Sequence, residues 1–176
     1  MLQIPEKDIM AAASNGMDAF LDLFCGRLLD SVGGELNAEN MQKLSGEQIT
    51  LLAYHMLREE VMDGGFIQLI HNGLGPFIFL NPFAKAMRLW GEEQDTETLH
   101  DFSKLIYQGR KLFEQYGKEL TRPCTDEEFM ALYEQYPAFD ELDDTFIETE
   151  EDITAAIAHY VDNHLDLFAE VTHPLR

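Results

Sequence analysis

Six histidines, two cysteines and an unusually large set of carboxylates are the side chains of this chain whose types could do chemistry. Zinc on a helix takes ligands four residues apart, so that both project from one face. His159 and His164 are five apart, which turns them well over 100° from each other on a helix. His55 and Glu59 do have the four-residue spacing, but one such pair arises by chance among 33 carboxylates. His71, His100 and His173 add no tighter grouping. The cluster from Asp140 to Asp144 lacks the alternating ligands and the sixth-position glycine of a calcium loop. "DGGF", from Asp63 to Phe66, follows a helical pattern rather than a strand and has no lysine beside it, unlike a phosphate-cradling loop. Ser14, Ser31, Ser45 and Ser103 sit in no nucleophile-elbow context. Cys25 falls on an apolar stripe without an activating base and reads as a small core residue. A hydrolase or metal enzyme using His55, Glu59 and His71 ranks last among the readings. No catalytic residue, metal or other cofactor is assigned.

The carboxylates are informative as a population. The chain has 33 acidic and 12 basic residues, a net charge of −21, where a magnitude of ~2–8 suffices for solubility. Residues 1–113 hold 16 acidic and 9 basic side chains, whereas residues 114–176 hold 17 and 3. The last third therefore carries −14 of the total. Adjacent pairs could serve as general acid and base, but at this density such pairs are unavoidable. With 45% hydrophobic and 11% aromatic residues the acidity belongs to a folded surface, not a disordered tail. That field repels nucleic acid and anionic membrane and attracts cationic partners.

The elements that must position these groups are helices. Met17, Phe20, Leu21, Phe24, Cys25, Leu28, Leu29 and Val32 form one apolar stripe stopped by Gly33 and Gly34. A first helix over residues 5–14 precedes it, and a short one over 37–44 follows. Ser45 with Gln48 and Thr125 with Glu128 read as capping boxes. "LGPFIFLNPF" reads as a buried connector, after which Asn81 caps a helix that begins at Pro82 and stops at Gly91. A long helix covers 96–116, with Gly117 as its cap. In "AFDELDDTFIETEED" Phe139, Leu142 and Phe146 anchor the segment, so the carboxylates between them should face water. Thr149 and Asp152 mark the start of the last helix. The expected fold is an all-α, single-domain multi-helix bundle over residues 1–176, with a Gly-Gly corner between its central helices.

That corner is "EEVMDGGFIQLIHN", from Glu59 to Asn72. Gly64 and Gly65 permit a sharp turn, Phe66 resumes the helix, and the amides of Gln68 and Asn72 are placed to satisfy free backbone groups. The run "GGFIQLIHN", together with "REEVMD" before it and "FDELDDTFIETEEDI" and "AHYVDNHLDLF" after it, resembles the DNA-mimic protein family, catalogued as a domain of unknown function. The resemblance covers residues 45–168 and is most specific from Gly64 to Asn72. It implies an all-helical fold and, through a related protein described as a DNA mimic, an activity.

The resulting expectation is a non-enzymatic acidic protein that imitates the phosphate backbone and occupies the basic surface of a DNA-binding protein such as a transcription factor. The carboxylates expected to act are Asp126, Glu127, Glu128, Asp140, Glu141, Asp143, Asp144, Glu148, Glu150, Glu151 and Asp152. The alternative is an interaction module whose contact surface is apolar; exposed Phe77 and Phe79 would favour it, and the same patch would serve a homodimer. The acidic start of the chain does not read as a secretory signal, and no run approaches the ~18 apolar residues of a membrane span. A cytoplasmic protein with reduced thiols, bound neither to nucleic acid nor to membrane, is expected.

Overall fold

The computed structural model of the protein describes residues 1–175. It is all-α apart from two three-residue strands. In chain order come β1 (Gln3–Pro5), α1 (Glu6–Ser14), α2 (Met17–Ser31), a 3-10 turn (Asn40–Lys43), α3 (Gly46–His71), α4 (Gly75–Phe79), α5 (Phe83–Gln94), α6 (Glu97–Leu120), α7 (Asp126–Gln135), α8 (Ala138–Asn163), α9 (Leu165–Phe168) and β2 (Glu170–Thr172). The chain divides into two compact units, one of Met1–His55 with the chain from Thr154 onward, the other of Met56–Ile153. The division falls inside α3 and α8.

In the first unit, β1 and β2 pair in parallel with Ile4 opposite Val171, and Ile4 is fully buried. No sequence alternation announces strands this short. The α2 stripe buries Phe20, Leu21, Phe24, Cys25 and Leu28. It ends at Gly33 and Gly34, both at positive φ, where the Gly34 N–H returns to the Leu29 carbonyl at 2.8 Å. Asn40 is buried because its amide donates to the Val32 and Glu35 carbonyls. The Ser45–Gln48 capping box is present in both directions, and the Gln48 amide reaches on to the Phe168 carbonyl at 2.8 Å. Tyr54 and Thr154, both buried, share a 2.6 Å hydroxyl hydrogen bond.

The core of the second unit is aromatic. Phe66 packs against Phe79 and Phe146, Phe102 against Phe83 and Phe146, and Phe79 stacks on Phe113. Full burial of each such ring contributes about 1.5–3 kcal/mol. α5 and α6 form a hairpin that turns at Asp95, in the left-handed region at φ 53°, and Ser103 Oγ donates to the Ala84 carbonyl across it.

Several boundaries differ from the sequence expectation. Gly91 does not stop α5, which runs to Gln94. A Cβ at Gly91 would sit 3.1 Å from Leu99 Cβ and 3.2 Å from the Thr96 carbonyl, so glycine there allows α6 to pack close. Gly117 likewise lies inside α6, against the Phe113 ring. The Asn81 amide donates to the Phe77 carbonyl and closes α4, leaving Pro82 in the N-cap position of α5. The apolar connector contains α4, and the turn at 40–43 is 3-10 rather than α. Finally, α8 is one helix without a start at Thr149, whose hydroxyl bonds back to the Thr145 carbonyl at 2.7 Å instead of capping.

Candidate functional site

The rotation of α8 in the second unit is set by its apolar residues. Phe139, Leu142, Phe146 and Ile153 are buried, with relative exposures of 0–4%. Their spacing of three, four and seven puts them on one side and leaves Asp140, Glu141, Asp144, Glu148, Glu151 and Asp152 exposed. At ~100° per residue these six carboxylates fall within an arc of about 120°. From Asp140 to Asp152 the helix rises ~18 Å, so the face carries about one charge per 3.6 Å of axis. The expectation of water-facing carboxylates holds for these six.

It fails for two others. Glu150 is buried, and its carboxylate is held by Arg58 Nε at 2.5 Å, so a cation from the preceding half of the chain neutralises it. Asp143 is half-buried and faces the glycine corner, where its Oδ1 accepts a 2.8 Å hydrogen bond from the Phe66 N–H. Burial pushes its carboxyl up to about 6, helped by the neighbouring charges of Asp140 and Asp144 and opposed by the Phe66 hydrogen bond.

Asp126, Glu127 and Glu128 are exposed in the first turn of α7, where carboxylates complement the helix dipole. Glu128 also closes the capping box, its carboxylate accepting from the Thr125 backbone N–H at 3.5 Å while its own N–H donates to Thr125 Oγ1 at 3.2 Å. α7 buries no residue completely. Its attachments include the Phe129 ring against His71, with centroids 4.8 Å apart, and the Tyr133 hydroxyl, which donates to the Gly64 carbonyl at 2.7 Å. Burial raises the Tyr133 phenol above its usual range, as do Asp143 and Asp63.

The corner itself has non-helical angles at Gly64 (φ −149°, ψ 16°) and Gly65 (φ 74°, ψ −176°). The second combination is essentially restricted to glycine. A Cβ at Gly65 would meet Asp143 Oδ2 at 2.3 Å. Gln68 and Asn72 do not satisfy the corner's backbone as expected. The Gln68 amide donates to Glu60 and Asp63, and the Asn72 amide to Glu60, so both tie down carboxylates of the preceding turns. The backbone is served instead by Asp143 and Tyr133, 77 and 69 residues away in sequence. Nothing local marks those two residues, which is why sequence reasoning missed both roles.

The other expected sites have structural partners. His71 Nδ1 is hydrogen-bonded to the Leu120 carbonyl at 2.8 Å. Among the described residues no three of His, Cys, Asp or Glu gather in a way that would hold a metal. Cys25 is buried and Cys124 exposed, and the two are not joined by a disulfide. Phe79 is 2% exposed and Phe77 half-buried, so the apolar surface that the alternative reading needs is not offered by these two rings. No helix among the described residues is long and apolar enough to cross a membrane.

Residues 42–164, which include the corner, α7 and the whole of α8, match the model of the DMP19-like protein family. A relative from Neisseria meningitidis serogroup B, named DNA mimic protein DMP19, is 31% identical over 134 residues, covering 76% of this chain and 77% of the relative. With most of its length matched in both comparisons, the chain belongs to the DMP19-like protein family.

Proposed function

We propose that this protein occupies the DNA-contacting surface of a basic DNA-binding protein, such as a transcription factor, by presenting carboxylates in place of phosphates. The observation that carries the reading is the α8 face. Its six exposed carboxylates average about one per 3.6 Å along the axis, at uneven intervals of about 1.5–6 Å, a density close to the one charge per ~3.4 Å of a single DNA strand. Cations that fit one array can meet the other. The apolar side of the same helix is locked into the core by Phe139, Leu142 and Phe146, so the charges sit on a rigid support. Asp126, Glu127 and Glu128 of α7 extend the acidic surface of this unit. Asp143 and Glu150 are left out of the contact set, because one holds the corner and the other is paired with Arg58.

The name borne by the Neisseria relative supports the same activity. On this reading the protein is a stoichiometric competitor without catalytic chemistry, acting in the cytoplasm where its partner meets DNA. Association releases counterions from both surfaces, so affinity must fall steeply with salt. The test is displacement of bound regulators from fluorescently labelled DNA at low ionic strength. Release of at least one regulator, reversed by added salt, is expected; failure to displace any member of a broad panel overturns the reading.

A further inference from the structure

Beside the acidic face of α8, within the same unit, a groove of about 260 Å³ runs between α8 and the first turns of α6. This is below the ~300–1,000 Å³ of sites that enclose whole small-molecule ligands, and suits one long side chain. Phe102 and Leu105, both nearly buried, form its floor. Its rim holds Glu97 and Asp101 of α6 and Asp152 of α8, with Thr98, Thr145 and Thr149 between them. We propose that this groove receives an arginine side chain of the basic partner, as the anchor around which the rest of the acidic face docks.

The shape and the charge point to the same occupant. An apolar floor suits a methylene stem, and carboxylates on two facing helices suit a planar cation with five fixed donors. A lysine ammonium, a point charge, would reach one wall at a time. Glu97 and Asp101 lie four apart on one helix face, where like charges repel. Their local relief is slight: Lys104 approaches Asp101 only to 3.9 Å, with both side chains largely exposed. Glu97 and Asp152 have no lysine or arginine within 4 Å among the described residues. The α6 N-terminus supplies only about half a positive charge, which leaves the rim strongly anionic. A cation with hydrogen-bonding reach relieves this repulsion.

The inference rests on the reading above for where the arginine comes from, but its test needs no DNA-binding protein. Amide chemical shifts of the whole protein are followed by NMR during titration with N-acetyl-arginine amide, N-acetyl-lysine amide and sodium chloride at matched ionic strength. Saturable shifts at Thr98, Asp101, Thr149 and Asp152, several-fold stronger for arginine than for lysine and absent with salt, are expected. The double variant Asp101→Asn/Asp152→Asn should weaken the arginine response about tenfold or more, since two charge-assisted contacts are lost. Glu39→Gln/Asp30→Asn, the same charge change on exposed positions elsewhere, should leave the groove's shifts in place. Equal shifts for arginine and lysine, shifts spread along α8 without the groove, or an unaltered response in the Asp101/Asp152 variant would overturn the proposal. Groove binding without displacement of any regulator from DNA would sink the functional reading alone, and the converse would sink only the anchor.

Discussion

Asp143 and Phe66 are joined by a 2.8 Å hydrogen bond from the backbone N–H of one to the carboxylate of the other, 77 residues apart. The bond fastens the acidic helix α8 to the glycine corner of α3. One carboxylate of an anionic surface has thereby been turned inward, at the cost of partial desolvation that its raised pKa records.

Gly65→Ala tests the corner. The methyl group would lie 2.3 Å from Asp143 Oδ2 at a φ of 74°. Strain of this kind costs about 1–3 kcal/mol before any clash is counted, so a loss of at least about 2 kcal/mol in urea denaturation is expected. A variant as stable as the parent would show that the corner does not need glycine.

The titration of Asp143 fixes a sign for pH dependence. Its carboxyl is raised from 3.8 to about 6, so between these values the folded state holds more proton than the unfolded one. Stability from this group is therefore full below about pH 4 and is lost as pH rises through about 6. Asp143→Asn keeps an oxygen to accept from Phe66 and removes the charge. Thermal melts from pH 4 to 8 should show the variant gaining on the parent across pH 4–6 and holding that gain above it. A constant difference across the range would contradict the assignment.

Arg58→Ala should leave the Glu150 carboxylate buried without its short contact. Removing one partner of a buried pair costs about 3–5 kcal/mol, and about 2–3 is expected here because Arg58 keeps a quarter of its side chain exposed. An apolar pair at both positions should recover most of the loss in the same denaturation assay. If Arg58→Ala is neutral, the pair is not a structural element.

The acidic face predicts a graded salt dependence. Asp144→Asn, Glu148→Gln and Glu151→Gln remove three exposed charges. Each should lower the slope of log affinity against log salt by about one in the DNA-displacement assay without shifting the melting temperature by more than a few degrees. Asp143→Asn, facing the corner, should leave that slope almost unchanged.

Legibility followed the range of the interactions. The α2 stripe, both capping boxes and six of the eight carboxylates expected to face water on α8 rest on spacings of three and four residues, and these are present. The parallel β1–β2 pair, the Arg58–Glu150 pair and the two groups that serve the corner join residues 69 to 167 positions apart and leave no local mark. Glycine was misread twice for one reason. A glycine that lets a neighbour approach, as Gly91 does for Leu99, has the same letter as one that ends a helix. Asp143 stood among other acidic residues, and only its place against Gly65 and its hydrogen bond from the Phe66 N–H set it apart.

The helix α8 keeps its structural and its outward residues on opposite sides of one rod. Outward positions can then be exchanged without disturbing the interior, so descendants of a single ancestor are free to acquire different targets while their skeleton stays the same. Divergence in this lineage should accumulate at Asp140, Glu141, Asp144, Glu148, Glu151 and Asp152 long before it reaches Phe139, Leu142 or Phe146.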